Sequence, residues 1–166
     1  MRLLLWIGAG LVSLVVLVAI IGWRLPVGHV AARSATVGRP PADVYALVAD
    51  VAAYSQWWAD IAKVEMLPAG PGIIRFREHM TSGPIVMEVA EAVPPQRFVT
   101  RIADPDQPFG GTWTFEIAPD AAGSRLTVTE RGEVYNPIFR FLSRFVFGHT
   151  GTIESFLQAA QKKLAP

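Results

Sequence analysis

The 166-residue chain contains no cysteine, which excludes disulfide frameworks, thiolate metal sites and cysteine nucleophiles. It also lacks a charge imbalance: 15 Lys and Arg stand against 14 Asp and Glu, and no basic run interleaves with aromatics. Nucleic acid is therefore not an expected partner. There is no G-x-S-x-G turn and no glycine-rich phosphate loop, so neither serine-nucleophile nor nucleotide chemistry has a local signature. His29, His79 and His149 show no paired spacing, and neither a metal nor another cofactor is expected. Internal repeats are missing as well.

One absence is local. From Leu3 to Trp23 there is no charge, proline, asparagine or glutamine; only Ser13 and three glycines lower the apolarity. As a helix rising ~1.5 Å per residue, this run is long enough to cross a bilayer core. A cleaved signal peptide is the rival reading. Its apolar region is normally shorter, and the one passable small-x-small site, Val30-Ala31-Ala32, lies well past the run and beyond Pro26. An uncleaved single-pass anchor in the cell membrane is the reading adopted, with Trp6 and Trp23 at interfacial positions. Arg2 lies on one side and Arg24, Arg33 and Arg39 on the other. A short basic start resembling a signal-anchor places the soluble domain on the outer, periplasmic or extracellular side. The division expected is an anchor over 1–24, a linker over 25–29 and one domain, read as a monomer, over 30–166.

The remaining length allows one ordinary domain. Val30–Val37 reads as a strand. In "RPPADVYALVADVAAYSQWWADI", Pro41 suits a first helical position, Val44, Leu47, Val48 and Val51 recur at helical spacing, and Asp50 can cap a second short helix holding Tyr54 and Trp57. A period of two then runs for much of the chain, interrupted by turn formers. It predicts strands at Ala62–Leu67, Gly72–Thr81, Ile85–Ala92, Arg97–Ile102, Gly111–Ile117 and Ser124–Tyr135. Asn136-Pro137 opens a last helix. Its inner stripe is Ile138, Leu142, Phe145, His149, Ile153, Phe156, Ala160 and Leu164, with Arg140 and Arg144 on the opposite face. Gly148 and Gly151 weaken its middle and permit a bend.

This order predicts an α+β domain: a curved antiparallel sheet of about seven strands with one amphipathic helix lying across it. The segments "PPADVYALVADVAAYSQWWADI", "PPQRFVTRI", "GGTWTFEI" and "RLTVTERGEVYNPIFRFLSRFVFG" carry a resemblance to the START-like, Bet v 1-like helix-grip proteins. More narrowly, the chain resembles the polyketide cyclase/dehydrase family of lipid- and small-molecule-binding domains. The resemblance covers about residues 30–164 and implies a deep apolar cavity between the sheet and the long helix. Fold alone supplies no reaction.

Strand phase assigns the inward residues. Ile74, Phe76, Glu78 and Met80 share one face; Ile85, Met87 and Val89 another; Phe98 and Ile102, then Trp113, Phe115 and Ile117, follow. In the last strand the set is Leu126, Val128, Glu130, Gly132 and Val134. Glu78 and Glu130 thus intrude on apolar faces, where an unpaired carboxylate is costly. Glu130 is either a ligand-facing group or a structural ion pair at a solvated rim, and Gly132 can mark a bulge that flips the phase. For Glu78, the adjacent Arg75, Arg77 and His79 are available partners. His149 is either a hydrogen-bonded core residue or a polar contact for ligand, and Glu130 with His149 forms a candidate acid–base pair. Trp57 matches a packed tryptophan of the resembling family, whereas Trp58 is expected to be partly exposed. Phe147, beside arginines, is either a lipid-interface contact or an ordinary exposed aromatic. The expected ligand cavity comprises Trp57, Phe76, Glu78, Met87, Phe98, Trp113, Phe115, Glu130, Phe145, His149 and Phe156.

Three functions fit this pattern. The first is a membrane-anchored binding domain for a hydrophobic small molecule or lipid. The second is a cyclase- or dehydratase-type enzyme using Glu130, His149 or both for proton transfer. The third is an interaction module whose cavity is filled by its own side chains.

Overall fold

The computed structural model describes residues 2–165. Helix α1 (Arg2–Arg24) carries the apolar run, with a mean hydropathy of 2.8 over an 18-residue window of which none is buried. Strand β1 (Gly28–Val37) begins inside the stretch read as linker, so Gly28 and His29 are sheet residues. Helix α2 (Pro41–Ala49) starts at a proline as expected and buries Val44 and Val48. The next short element, Val51–Gln56, is a 3₁₀ helix to which Asp50 gives no side-chain cap.

Six strands follow: β2 (Ile61–Leu67), β3 (Arg75–Met80), β4 (Gly83–Val93), β5 (Arg97–Ile102), β6 (Phe109–Asp120) and β7 (Gly123–Val134). The period-two readings hold, with Arg97–Ile102 matched at both ends and no strand end displaced by more than three residues. Ile74 is the exception on phase: β3 starts after it, and the side chain is 47% exposed rather than inward. The sheet runs β1-β7-β6-β5-β4-β3-β2, and every neighbouring pair is antiparallel. Consecutive strands β1 and β2 therefore occupy opposite edges, and α2 with the 3₁₀ helix bridges them. Strand β7 pairs on both sides without a register shift, so Gly132 marks no bulge and the inward phase runs on through Glu130.

The C-terminal helix departs from the continuous stripe. Asn136 caps α3 (Pro137–Leu142) by accepting from the Ile138 and Phe139 backbone N–H groups at 2.9 and 3.2 Å. A π-helical turn, Ser143–Phe147, follows and ends at Gly148 with φ +73°, a left-handed conformation that glycine adopts without strain. Helix α4 (Gly151–Lys163) then lies on the sheet. The wider π turn shifts the helical phase, which turns Phe145 outward (60% exposed). Ile138 is exposed and Leu142 only half-buried; the inward stripe survives from Ile153 onward.

Phe156 is the centre of the core. It is fully buried and its ring meets those of Tyr54, Trp57, Trp58, Trp113 and Phe115 at centroid distances of 5.1 to 6.3 Å. The expected placement of the tryptophan pair is reversed. The 3₁₀ helix stops before Trp57, and Trp58 folds back under it, its backbone N–H bonded to Tyr54 O at 2.8 Å and its indole N–H donating to Ser155 Oγ at 3.1 Å. Trp58 is 4% exposed, whereas Trp57 is half-buried, although both rings reach Phe156.

Arg140, read as a polar-face residue, is 9% exposed. Its guanidinium donates to Val134 O and Tyr135 O at 2.8 and 2.9 Å, and to Gly22 O and Leu25 O at 3.2 and 3.0 Å. It thereby adds a donor to Gly22 O, which also accepts from Leu25 N–H at 3.3 Å, and binds Leu25 O just past the C-terminal end of α1, where a cation also suits the helix dipole. Gly22 packs so closely on Pro137 that a Cβ would overlap its carbonyl. Helix α1 is thus fastened to α3. Phe156→Ala should destabilise the domain by about 3–5 kcal/mol, the range for a large aromatic in a packed core. Leu142→Ala, outside that core, should cost about 1 kcal/mol. Unfolding of the full chain in detergent measures both.

Candidate functional site

Where the π turn leaves the sheet, a cavity of about 610 Å³ remains between the sheet and the C-terminal segments. Its walls come from the inward faces of β3 to β7, from Tyr54 and Trp58 beneath, and from Phe139, Ser143, Phe147 and His149 above. Six of the expected cavity residues are brought together there: Glu78, Met87, Trp113, Phe115, Glu130 and His149. Five are not. Phe76, Phe98 and Phe156 pack in the core instead, Trp57 packs against it from the far side of Tyr54, and Phe145 faces outward for the reason given above.

Sequence reasoning missed Trp58, Phe109, Phe139 and, above all, His29. Counting back by twos from buried Ala31 along β1 reaches His29, so extending the strand phase by one step identifies it. His29 lies opposite Gly132 in the β1–β7 register, and a Cβ at Gly132 would collide with its ring. The bare glycine lets the imidazole lie over the sheet. His29 Nε2 is 3.2 Å from Glu130 Oε1, and its ring stacks on His149 with centroids 3.7 Å apart. The acid–base candidates are therefore three residues with His29 as the direct partner of Glu130.

Burial sets the charges in this cluster. It raises the Glu130 carboxyl above the ordinary carboxylate range, with His149 and the Trp113 indole opposing. It lowers His29 and His149; in the latter His29 and Arg144 add to the lowering while Glu130 opposes it. Near neutral pH the imidazoles are thus mainly uncharged, and the His29–Glu130 contact is a hydrogen bond more than an ion pair.

Glu78 stands across the cavity, on β3. It is 7% exposed, and burial alone pushes its carboxyl up from 4.5 to about 7. The neighbours expected to neutralise it turn to the other face of the sheet. Arg75 pairs with Glu88 at 2.8 Å, and Arg77 and His79 with Glu65 at 3.2 Å each. Glu88 shows the contrast. Held by Arg75 and Arg101, the latter at 2.6 Å, its carboxyl is pulled below the ordinary range by those hydrogen bonds. One inward and one outward carboxylate on adjacent strands are displaced in opposite directions.

The family can now be stated. Residues 29–165 match the model of the polyketide cyclase/dehydrase and lipid transport family, and the chain belongs to that family. Among curated proteins none matches it. Solved structures share the fold at low identity. The di-domain aromatase/cyclase StfQ of the steffimycin biosynthetic pathway aligns with a TM-score of 0.68 at 13% identity over 83% of this chain, which spans about half (51%) of that larger protein. The ZhuI aromatase/cyclase from Streptomyces gives 0.65 at 16% identity, covering 82% of this chain and 93% of its own. A START superfamily protein from Mycobacterium smegmatis gives 0.64 at 18%, covering 82% and 97%. The alignments establish the helix-grip fold.

Glu78 has a measurable signature. Its unfolded carboxyl titrates near 4.5 and its folded one near 7, so between those values the folded protein holds more protons and stability falls as pH rises. The loss contributed by Glu78 should reach about 3 kcal/mol by pH 8. Glu78→Gln should remove this part of the slope and be more stable than the parent above pH 7, as read from unfolding at pH 5 and pH 8.

Proposed function

We propose that the protein is a membrane-tethered binding domain that holds a hydrophobic small molecule or lipid between its sheet and its C-terminal helices. The observation that carries this reading is the open cavity of about 610 Å³, large enough for a small-molecule ligand, with Ile85, Met87, Ile102, Trp113 and Phe115 on its walls. Affinity would come chiefly from burying apolar ligand surface, at about 25 cal/mol per Å². The unfilled cavity argues against an interaction module packed with its own side chains.

The tether draws support from two features. Helix α1 is long and apolar enough to span a bilayer, and its end is bound to α3, whose Phe139 lines the cavity. Exposed Ile138, Phe139, Phe145, Val146 and Phe147 lie on that segment, an apolar surface suited to the lipid interface. The anchor reading keeps the domain on the outer side of the membrane.

A second reading is proton-transfer catalysis of cyclase or dehydratase type, which draws on the His29–Glu130–His149 cluster. Native mass spectrometry of the full chain extracted in detergent separates the two. A retained, unaltered ligand fits binding, whereas a ligand whose mass changes with the parent protein but not with Glu130→Gln fits catalysis. The cavity itself is tested by Ile85→Trp, which projects a larger side chain into open space. Binding of the neutral dye N-phenyl-1-naphthylamine, with empty micelles as reference, should weaken at least about tenfold with little change in melting temperature. Unchanged dye affinity would remove the cavity as the binding site.

A further inference from the structure

We propose that this cavity selects apolar ligands bearing an amine or hydroxyl donor and excludes those bearing a permanent anion such as a sulfonate or phosphate. The inference rests on the binding function proposed above and specifies its ligand. It follows from which polar groups reach the cavity. Two carboxylic side chains point into it, Glu78 and Glu130, and no lysine or arginine lines it among the described residues.

The missing cations are accounted for by the sheet. Arg75, Arg77 and Arg101 sit on β3 and β5, strands that help wall the cavity, but each is committed to a carboxylate on the outer face. Arg140 is buried but bound to backbone carbonyls, and it does not line the cavity. Arg144, close enough to act on His149, is exposed and does not line the cavity. A feature of opposite sign is the start of α4, where Thr152 borders the cavity and free backbone N–H groups favour anions. That turn already carries Glu154, paired with Arg33 at 2.9 Å. An anionic ligand would thus leave water for a site with no lysine or arginine to compensate it, beside two carboxyls and the imidazoles of His29 and His149, which burial disposes against the charged form.

Glu78 is the anchor for the donor. The residue is 7% exposed and lines the cavity, and its carboxyl is shifted by burial with no ion-pair or hydrogen-bond contribution. Glu130 differs because it already has His29 at 3.2 Å. A ligand ammonium beside Glu78 would favour its carboxylate form and make a charge-assisted hydrogen bond; a hydroxyl would make a neutral or singly charged one.

The test compares three ligands of one ring system: 1-naphthylmethylamine, 1-naphthylmethanol and 2-naphthalenesulfonate. Each is titrated calorimetrically into the full chain in lipid nanodiscs at pH 7.5, with empty nanodiscs as reference. The amine should bind about tenfold tighter than the alcohol, and the sulfonate at least about tenfold weaker than the alcohol. Glu78→Gln should bring the amine to parity with the alcohol, while Glu130→Gln should preserve most of the amine's advantage. A sulfonate binding as tightly as the alcohol would overturn the proposal in the parent protein, without recourse to any variant. An amine advantage intact in a folded Glu78→Gln would overturn the role of Glu78. Equal binding of all three ligands would defeat selectivity while leaving the binding function standing; binding of none would defeat both.

Discussion

The packing of Phe156 between helix and sheet governs what the rest of the domain can do. A straight helix laid on a curved sheet cannot touch it along its whole length, and the gap must be filled or left open. Around Phe156 five aromatic rings fill it. Toward the other end the chain changes strategy: the π turn and Gly148 lift it away from the strands, and no comparable side chain closes the space. The stability of the closed end is what allows the open end to exist, since a domain that left its entire helix–sheet interface unfilled would lose the burial that folds it.

Much of this was legible in the sequence because the relevant signals are periodic. Alternation located the strands after Asp60, and it placed Glu130 on the inward face despite the glycine two residues later. Proline at 41 and Asn136-Pro137 marked helix starts that the structure retains. The failures have local causes. Phe145 was assigned by extrapolating a 3.6-residue period into a π turn, whereas Ile138 and Leu142 precede that turn on α3, which packs chiefly on α1 rather than on the sheet. Trp57 and Trp58 failed because a 3₁₀ helix and its exit set their directions, and neighbouring tryptophans carry no internal cue. His29 lay one step outside a strand whose start was set too late. Arg140 was unreadable for another reason: its partners are backbone carbonyls, which leave no trace in side-chain composition.

The two faces of the sheet divide its charges. Outward carboxylates meet arginines, as Glu88 does with Arg75 and Arg101, and Glu116 and Glu91 with Arg97. Inward carboxylates meet apolar walls or imidazole. Alternation makes this division automatic, because a residue next to an inward position necessarily points out. Arginines adjacent in sequence to Glu78 are for that reason the ones least able to reach it. Proximity along a strand, which suggested neutralisation, is the geometric reason it does not occur.

The grip of Arg140 on Gly22 and Leu25 has a mechanical consequence. A guanidinium holding Gly22 O on the helix, Leu25 O in the connection, and Val134 O and Tyr135 O of the domain converts a hinge into a bracket. Tilt or rotation of the apolar helix is then transmitted to α3, and α3 carries Phe139 at the rim of the cavity. Under a tethered arrangement, bilayer thickness and curvature, which set helix tilt, become forces on the entrance. Under that arrangement the opening would keep a fixed bearing relative to the apolar helix.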